Sequence, residues 1–155
     1  MTGFLHDLLV TAAFAVTIAM VWWMHDPRTL FLCGVGGAMG FLTFRLLLQF
    51  TDGLFVPTLM AAVVMGIAAE LFAKRRKIPA IIILAPSIYT LAPGSRMYET
   101  MLFLVHRNTP MALEKGVEAA TIAAAMAFGV LLASLLSRAV QRNHARFVGD
   151  DRSMR

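Results

Sequence analysis

The chain is poor in charge, in cysteine and in hydrogen-bonding aromatics. Charged residues are 15% of its 155 positions, and it has a single cysteine and only two tyrosines. One cysteine, Cys33, excludes an intramolecular disulfide, and its place inside an apolar run marks it as a small packing residue. His6, His25, His106 and His144 stand near the ends of apolar runs or in the tail, and none is four residues from another His or Cys. Neither a zinc site nor a Cys-His nucleophile is indicated. Ser87 and Ser95 have no His and Asp spaced to serve them, so the chain does not read as an enzyme and implies no cofactor or metal. Nucleotide binding is missing too. The glycines 34, 36, 37 and 40 do not spell G-x-G-x-x-G, since Met39 takes the third place, and no βαβ unit surrounds them. No Lys or Arg precedes Phe4 and no small-residue cleavage site follows the first apolar run, so that run reads as a retained span and not a secretory signal.

What is abundant is apolar surface. At 59% hydrophobic residues, the chain has more of it than a soluble domain of this size can hide. It reads as an all-α, polytopic integral membrane protein held in a lipid bilayer. Apolar runs at 4–24, 29–50, 54–73, 78–105 and 117–140 predict about five transmembrane helices. Asp26-Pro27 fits an N-cap with proline at the first helical position, Thr51-Asp52-Gly53 makes a turn, and Asn108-Thr109-Pro110 stops one helix and starts another. That last start predicts either a longer fifth helix or a short interfacial piece before Lys115. One transmembrane domain is expected over 1–140, followed by a charged tail, 141–155, that lacks apolar period and reads as a frayed cytoplasmic end against anionic lipid.

The net charge of +5 does not argue for nucleic acid, because the basic residues collect at span ends and not along one soluble face. They report topology. With the N-terminus outside, the cytoplasm receives Arg28, Lys74, Arg75, Arg76, Lys77, Arg138, Arg142, Arg146, Arg152 and Arg155, and the outside only Arg107 and Lys115. The expectation is an N-out, C-in protein of the cell inner membrane. Gly36 and Gly40, four residues apart, clear one face of the second span. Ala119, Ala120, Ala123, Ala124, Ala127, Gly129 and Ala133 smooth the fifth for a partner helix in this chain or another, including a second copy.

The run 78–105 is the place to look for function. As one helix it would measure about 42 Å against about 30 Å of hydrocarbon, and Pro93-Gly94 interrupts it, Pro93 removing a donor and Gly94 relaxing φ. Freed backbone groups at membrane depth are tolerated only where they face protein or a water-filled cavity. Arg96 and Glu99, one turn apart just after the break, are the sharpest site candidates. The second half-helix's N-terminus together with Arg96 suits a carboxylate, and Glu99 suits a coupling proton. Tyr98 offers a hydrogen bond, and Arg45 divides between snorkelling toward Asp52 and lining a pathway. Glu70, one turn from Lys74, reads as an interfacial ion pair.

Residues 86–101, PSIYTLAPGSRMYETM, resemble the P…PG…Y signature of the threonine/serine exporter family in its short, split-subunit form. The early Gly-rich span ending in Arg45 and the basic turn before the signature extend the likeness over 4–140. By that resemblance Pro86, Pro93, Gly94 and Tyr98 belong to the family motif, while Arg96, Glu99 and Arg45 are candidates on physical grounds alone. The sequence departs from the family around Arg45, where Phe41, Leu42, Thr43 and Phe44 replace a polar cluster. The resemblance implies a small membrane subunit of a secondary transporter. It would export small amino acids or organic acids, threonine, serine or a dicarboxylate, and act with a larger membrane subunit. The alternative is a membrane scaffold or assembly subunit, which should tolerate replacement of the polar residues at the break.

Overall fold

Proline, glycine and basic runs divide the chain into the helices of a computed structural model, which describes residues 2–21, 26–51 and 53–153, with side chains for 6–21, 26–51 and 53–139. His25, Asp52 and the end of the first apolar run lie outside the described residues. Among those described there are α1 (Thr2–Val21), α2 (Pro27–Leu48), α3 (Phe55–Arg76), α4 (Ile81–Ile88), a 3-10 turn (Tyr89–Leu91), α5 (Gly94–Val105) and α6 (Thr109–Ser153). Pro27–Leu48, Phe55–Arg76 and Thr109–Ala139 are long and apolar enough to cross a membrane, and His6–Val21 and Ile81–Leu91 are shorter apolar helices. This is the expected all-helical, polytopic membrane fold with its fourth span broken.

The helix ends follow local chemistry. Asp26 takes the N-cap position of α2 with Pro27 behind it, yet its carboxylate caps no backbone amide. It accepts from the Thr29 hydroxyl at 2.7 Å and pairs with Arg76, so the turns flanking α2 and α3 are clipped together at one end of the bundle. The Thr29 hydroxyl, and behind it Arg76, hold the Asp26 carboxyl below its ordinary range. At the C-terminus of α3, Lys77 sits at φ 56° while the Ile78 amide reaches back to the Ala73 carbonyl at 3.1 Å, a Schellman ending built on lysine in place of glycine. Arg107, at φ 55°, ends α5 in the same way, with the Asn108 amide 2.9 Å from the Phe103 carbonyl. Asn108 then accepts from the Met111 amide at 3.4 Å and starts α6. The choice left open at Thr109 therefore resolves to one long helix. That helix continues to Ser153, where a frayed tail was expected, because the segment has no proline and its first glycine is Gly149.

Contacts set the directions. Gly34 meets Val16 and Gly37 meets Ala15, while Arg45 pairs with Asp7 at 3.6 Å, so α1 and α2 are antiparallel. Cys33 clusters with Ala69 and Ala73, and Gly40 receives Met65, which makes α3 antiparallel to α2. α4 runs back alongside α2. Ala62 meets Gly129 and Ala133 meets Gly66, so α6 lies parallel to α3; of the small residues of α6, Gly129 and Ala133 seat on α3 and Ala119 is buried, while Ala120, Ala123, Ala124 and Ala127 are exposed. Beyond Ile122, toward its own N-terminus, α6 carries α5 antiparallel to it, with Thr100 against Gly116. The glycines of α2 do not serve a single neighbour. Gly36 admits Ser87 of α4, Gly40 admits Met65 of α3, and Gly34 and Gly37 face α1.

Candidate functional site

Pro86 opens the construction of the site. Inside α4 it has no amide to give the Ile82 carbonyl, and the Cys33 sulfur lies 3.9 Å from that oxygen. The Ser87 hydroxyl stands 2.9 Å from the Ile83 carbonyl and 3.0 Å from that of Cys33, and a Cβ on Gly36 would lie 2.6 Å from it. Pro86 and Ser87 are fully buried. They dock the first half of the broken span on α2, and Pro86 is not part of the cavity wall at the break.

The break itself is spread over several residues. α4 tightens into the 3-10 turn, Ala92 is extended at φ −56° and ψ 137°, and Pro93, at φ −77° and ψ 36°, is the N-cap of α5. The Gly94 amide bonds the Ala92 carbonyl at 2.8 Å across Pro93, in the manner of an inverse γ-turn. Gly94 does not use the freedom assigned to it: among the described residues no glycine has positive φ, and a Cβ there would meet nothing within 4 Å. Proline breaks this helix, and the glycine is incidental to the backbone path.

A cavity of about 240 Å³ opens at the break. Its walls are Phe41 and Phe44 of α2, Leu54 and Thr58 at the start of α3, residues 90–93, Ser95 and Arg96, and Ile122 of α6. The size suits a molecule of a few heavy atoms, below the about 300 Å³ at which drug-sized pockets begin. The Thr58 and Thr90 hydroxyls give their protons to the Leu54 and Ser87 carbonyls, at 2.6 and 2.7 Å, which leaves oxygen lone pairs as acceptors. Arg96 is the one charged group in the wall.

Arg96 is not idle. Its Nη1 donates to Glu99 Oε2 at 3.1 Å, and its Nε stands 3.3 Å from Glu118 Oε2 on α6. Lys115 donates to the other oxygen of Glu118 at 3.1 Å and lies 3.8 Å from Glu114. The two candidates Arg96 and Glu99 pair with each other, inside a larger network whose cross-helix member, Glu118, sequence reading passed over. Its signal was an acid inside an apolar run, masked by the ordinary three-residue spacing from Lys115.

The remaining candidates are not brought together here. Arg45 reaches Asp7 and lies 5.9 Å from the Phe41 ring centre, on the α1 side of α2. Tyr98 is 68% exposed on α5 and does not line the cavity. Glu70 and Lys74 do not pair directly: the Ser137 hydroxyl donates to Glu70 while Lys74 donates to the Ser137 oxygen at 3.3 Å, tying α3 to α6. Two further grooves between α5 and α6, of about 320 and 330 Å³, are floored by Gly116, Ala119, Ala120 and Ala112.

A family model described as "Threonine/Serine exporter, ThrE" matches residues 7–136, which takes in every helix of the bundle and the whole of the break. No curated protein and no solved structure matches the chain.

Proposed function

We infer a transport role from one premise: the chain belongs to the threonine/serine exporter family. In our reading it is the small membrane subunit of a secondary exporter of small carboxylates, an amino acid such as threonine or serine or a dicarboxylate, and it works with a larger membrane subunit in the cell inner membrane. The observation that carries the reading is Arg96 in the wall of a small cavity where a membrane helix is interrupted. Its guanidinium suits a carboxylate, and the threonine oxygens offer acceptors to an ammonium or hydroxyl. The basic residues Arg28, Lys74, Arg75 and Arg76 share one end of the bundle, which supports an N-out, C-in orientation with the cavity toward the outer half.

Efflux of labelled threonine, serine and succinate from cells carrying both subunits, against cells lacking this chain, tests the role. Faster efflux of at least one with the chain present is expected, and Arg96→Gln should abolish the difference at normal abundance. Equal efflux with and without the chain would end the proposal.

A further inference from the structure

We propose that Glu118 is the internal anion which a substrate carboxylate displaces from Arg96, and that this exchange unfastens α5 from α6. The inference rests on the transport reading above and deepens it at the same site.

The two carboxylates on Arg96 are held differently. Glu99 lies one turn further along α5 and accepts a hydrogen bond from Arg96, so it travels with the guanidinium wherever the helix goes. Glu118 belongs to α6. Its Oε2 is buried and accepts no hydrogen bond among the described residues, although Arg96 Nε is 3.3 Å away. The contact is attraction between charges without hydrogen-bond alignment. A carboxylate free to orient itself can meet the planar guanidinium with two parallel N–H···O bonds, which Glu118 does not do.

Displacement strands no charge. Glu118 keeps Lys115 on its other oxygen at 3.1 Å, and Arg96 takes the substrate, so each cation retains an anion. The same exchange has a mechanical side. α5 packs on α6 and makes little contact with the other helices, and its N-terminus is joined to α4 through the 3-10 turn, Ala92 and Pro93. Arg96 to Glu118 is the ion pair between α5 and α6 among the described residues. Once it opens, α5 is held to α6 by packing such as Thr100 against Gly116. Substrate binding and release of the half-helix become one event.

Uptake of labelled serine and labelled succinate into everted membrane vesicles, from cells making this chain with its larger partner, reads the exchange. Glu118→Gln removes the competitor, so KM should fall about two- to five-fold, the worth of a part-exposed ion pair, and turnover should fall with it because nothing re-takes Arg96 on release. Lys115→Gln should act with the opposite sign, since Glu118 then has Arg96 as its main cation and competes harder, raising KM. The double variant should return to the low KM of Glu118→Gln. A merely structural pair would raise KM, or lower abundance, in both single variants alike. Unchanged or raised KM in Glu118→Gln at normal abundance overturns the proposal. If that variant does not reach the membrane, a lowered or unchanged KM in Lys115→Gln overturns it equally. Wild-type vesicles that take up neither substrate would overturn the transport reading and this inference together.

Discussion

Glycine carries two different meanings at the scale of single residues. At Gly129 a Cβ would stand 2.6 Å from that of Ala62 and 2.7 Å from the Leu59 carbonyl, and backbone cannot step aside. Gly129→Ala should therefore cost about 1–3 kcal/mol by overpacking α3 against α6, read as a lowered thermal midpoint of the detergent-purified protein. At Gly94 the space is open and φ is ordinary, so Gly94→Ala should be neutral or add up to about 1 kcal/mol. Export by Gly94→Ala should equal wild type, and a large loss would mean that the glycine matters in a second conformation of the break. Reading the sequence alone ranks these two glycines the other way round, because Pro-Gly is a strong local signal while close approach between helices leaves no local mark.

Among the elements, the broken span depends on Pro93. Proline is about 3 kcal/mol less favourable than alanine inside a helix, so Pro93→Ala should let α4, the turn and α5 draw toward one continuous helix. Folding should survive while export falls sharply at normal abundance, because straightening the path closes the cavity between Thr90 and Ser95. Unchanged export would reduce the break to packing and favour a scaffold. Helix ends give a gentler test. Arg107 holds a left-handed conformation that glycine adopts freely, so Arg107→Gly should stabilise by about 1 kcal/mol and raise the thermal midpoint by a few degrees. The existence and position of the break were legible in residues 86–94, as were the start of α2 and the restart at Asn108. The Arg96 to Glu118 contact was not. It depends on the register of α5 against α6, which follows from where Arg107 ends one helix and Asn108 begins the next, and no periodicity in either run encodes that offset.

For the molecule as a whole, α1 begins at the end of the bundle where Asp7 meets Arg45, and α6 leaves by the other, where Asp26 meets Arg76. Reporter fusions at the two termini should accordingly appear in opposite compartments, the C-terminal one in the cytoplasm. Both in the same compartment would contradict an odd number of crossings. The apolar runs made the placing of the two termini at opposite ends of the bundle readable in advance, since hydropathy is summed over many residues and forgives local error. The mutual seating of the helices was less so: the small residues of α6 were expected to meet some partner, and only the fold shows that Gly129 and Ala133 meet α3 while Ala123, Ala124 and Ala127 stay exposed.

Cys33 has a consequence for time as well as for packing. Its sulfur lies between α2 and the carbonyl that Pro86 leaves without a donor, with no exposed surface. A small thiol reagent can therefore reach it only when α2 parts from a neighbour, α4 or the Ala19, Ala69 and Ala73 side of its cluster, and as the chain's sole cysteine it gives one uncomplicated signal. The modification rate of the native protein is a clock for that opening: fast labelling at an unaltered overall stability would mean that the helices around Cys33 part locally while the bundle stays folded.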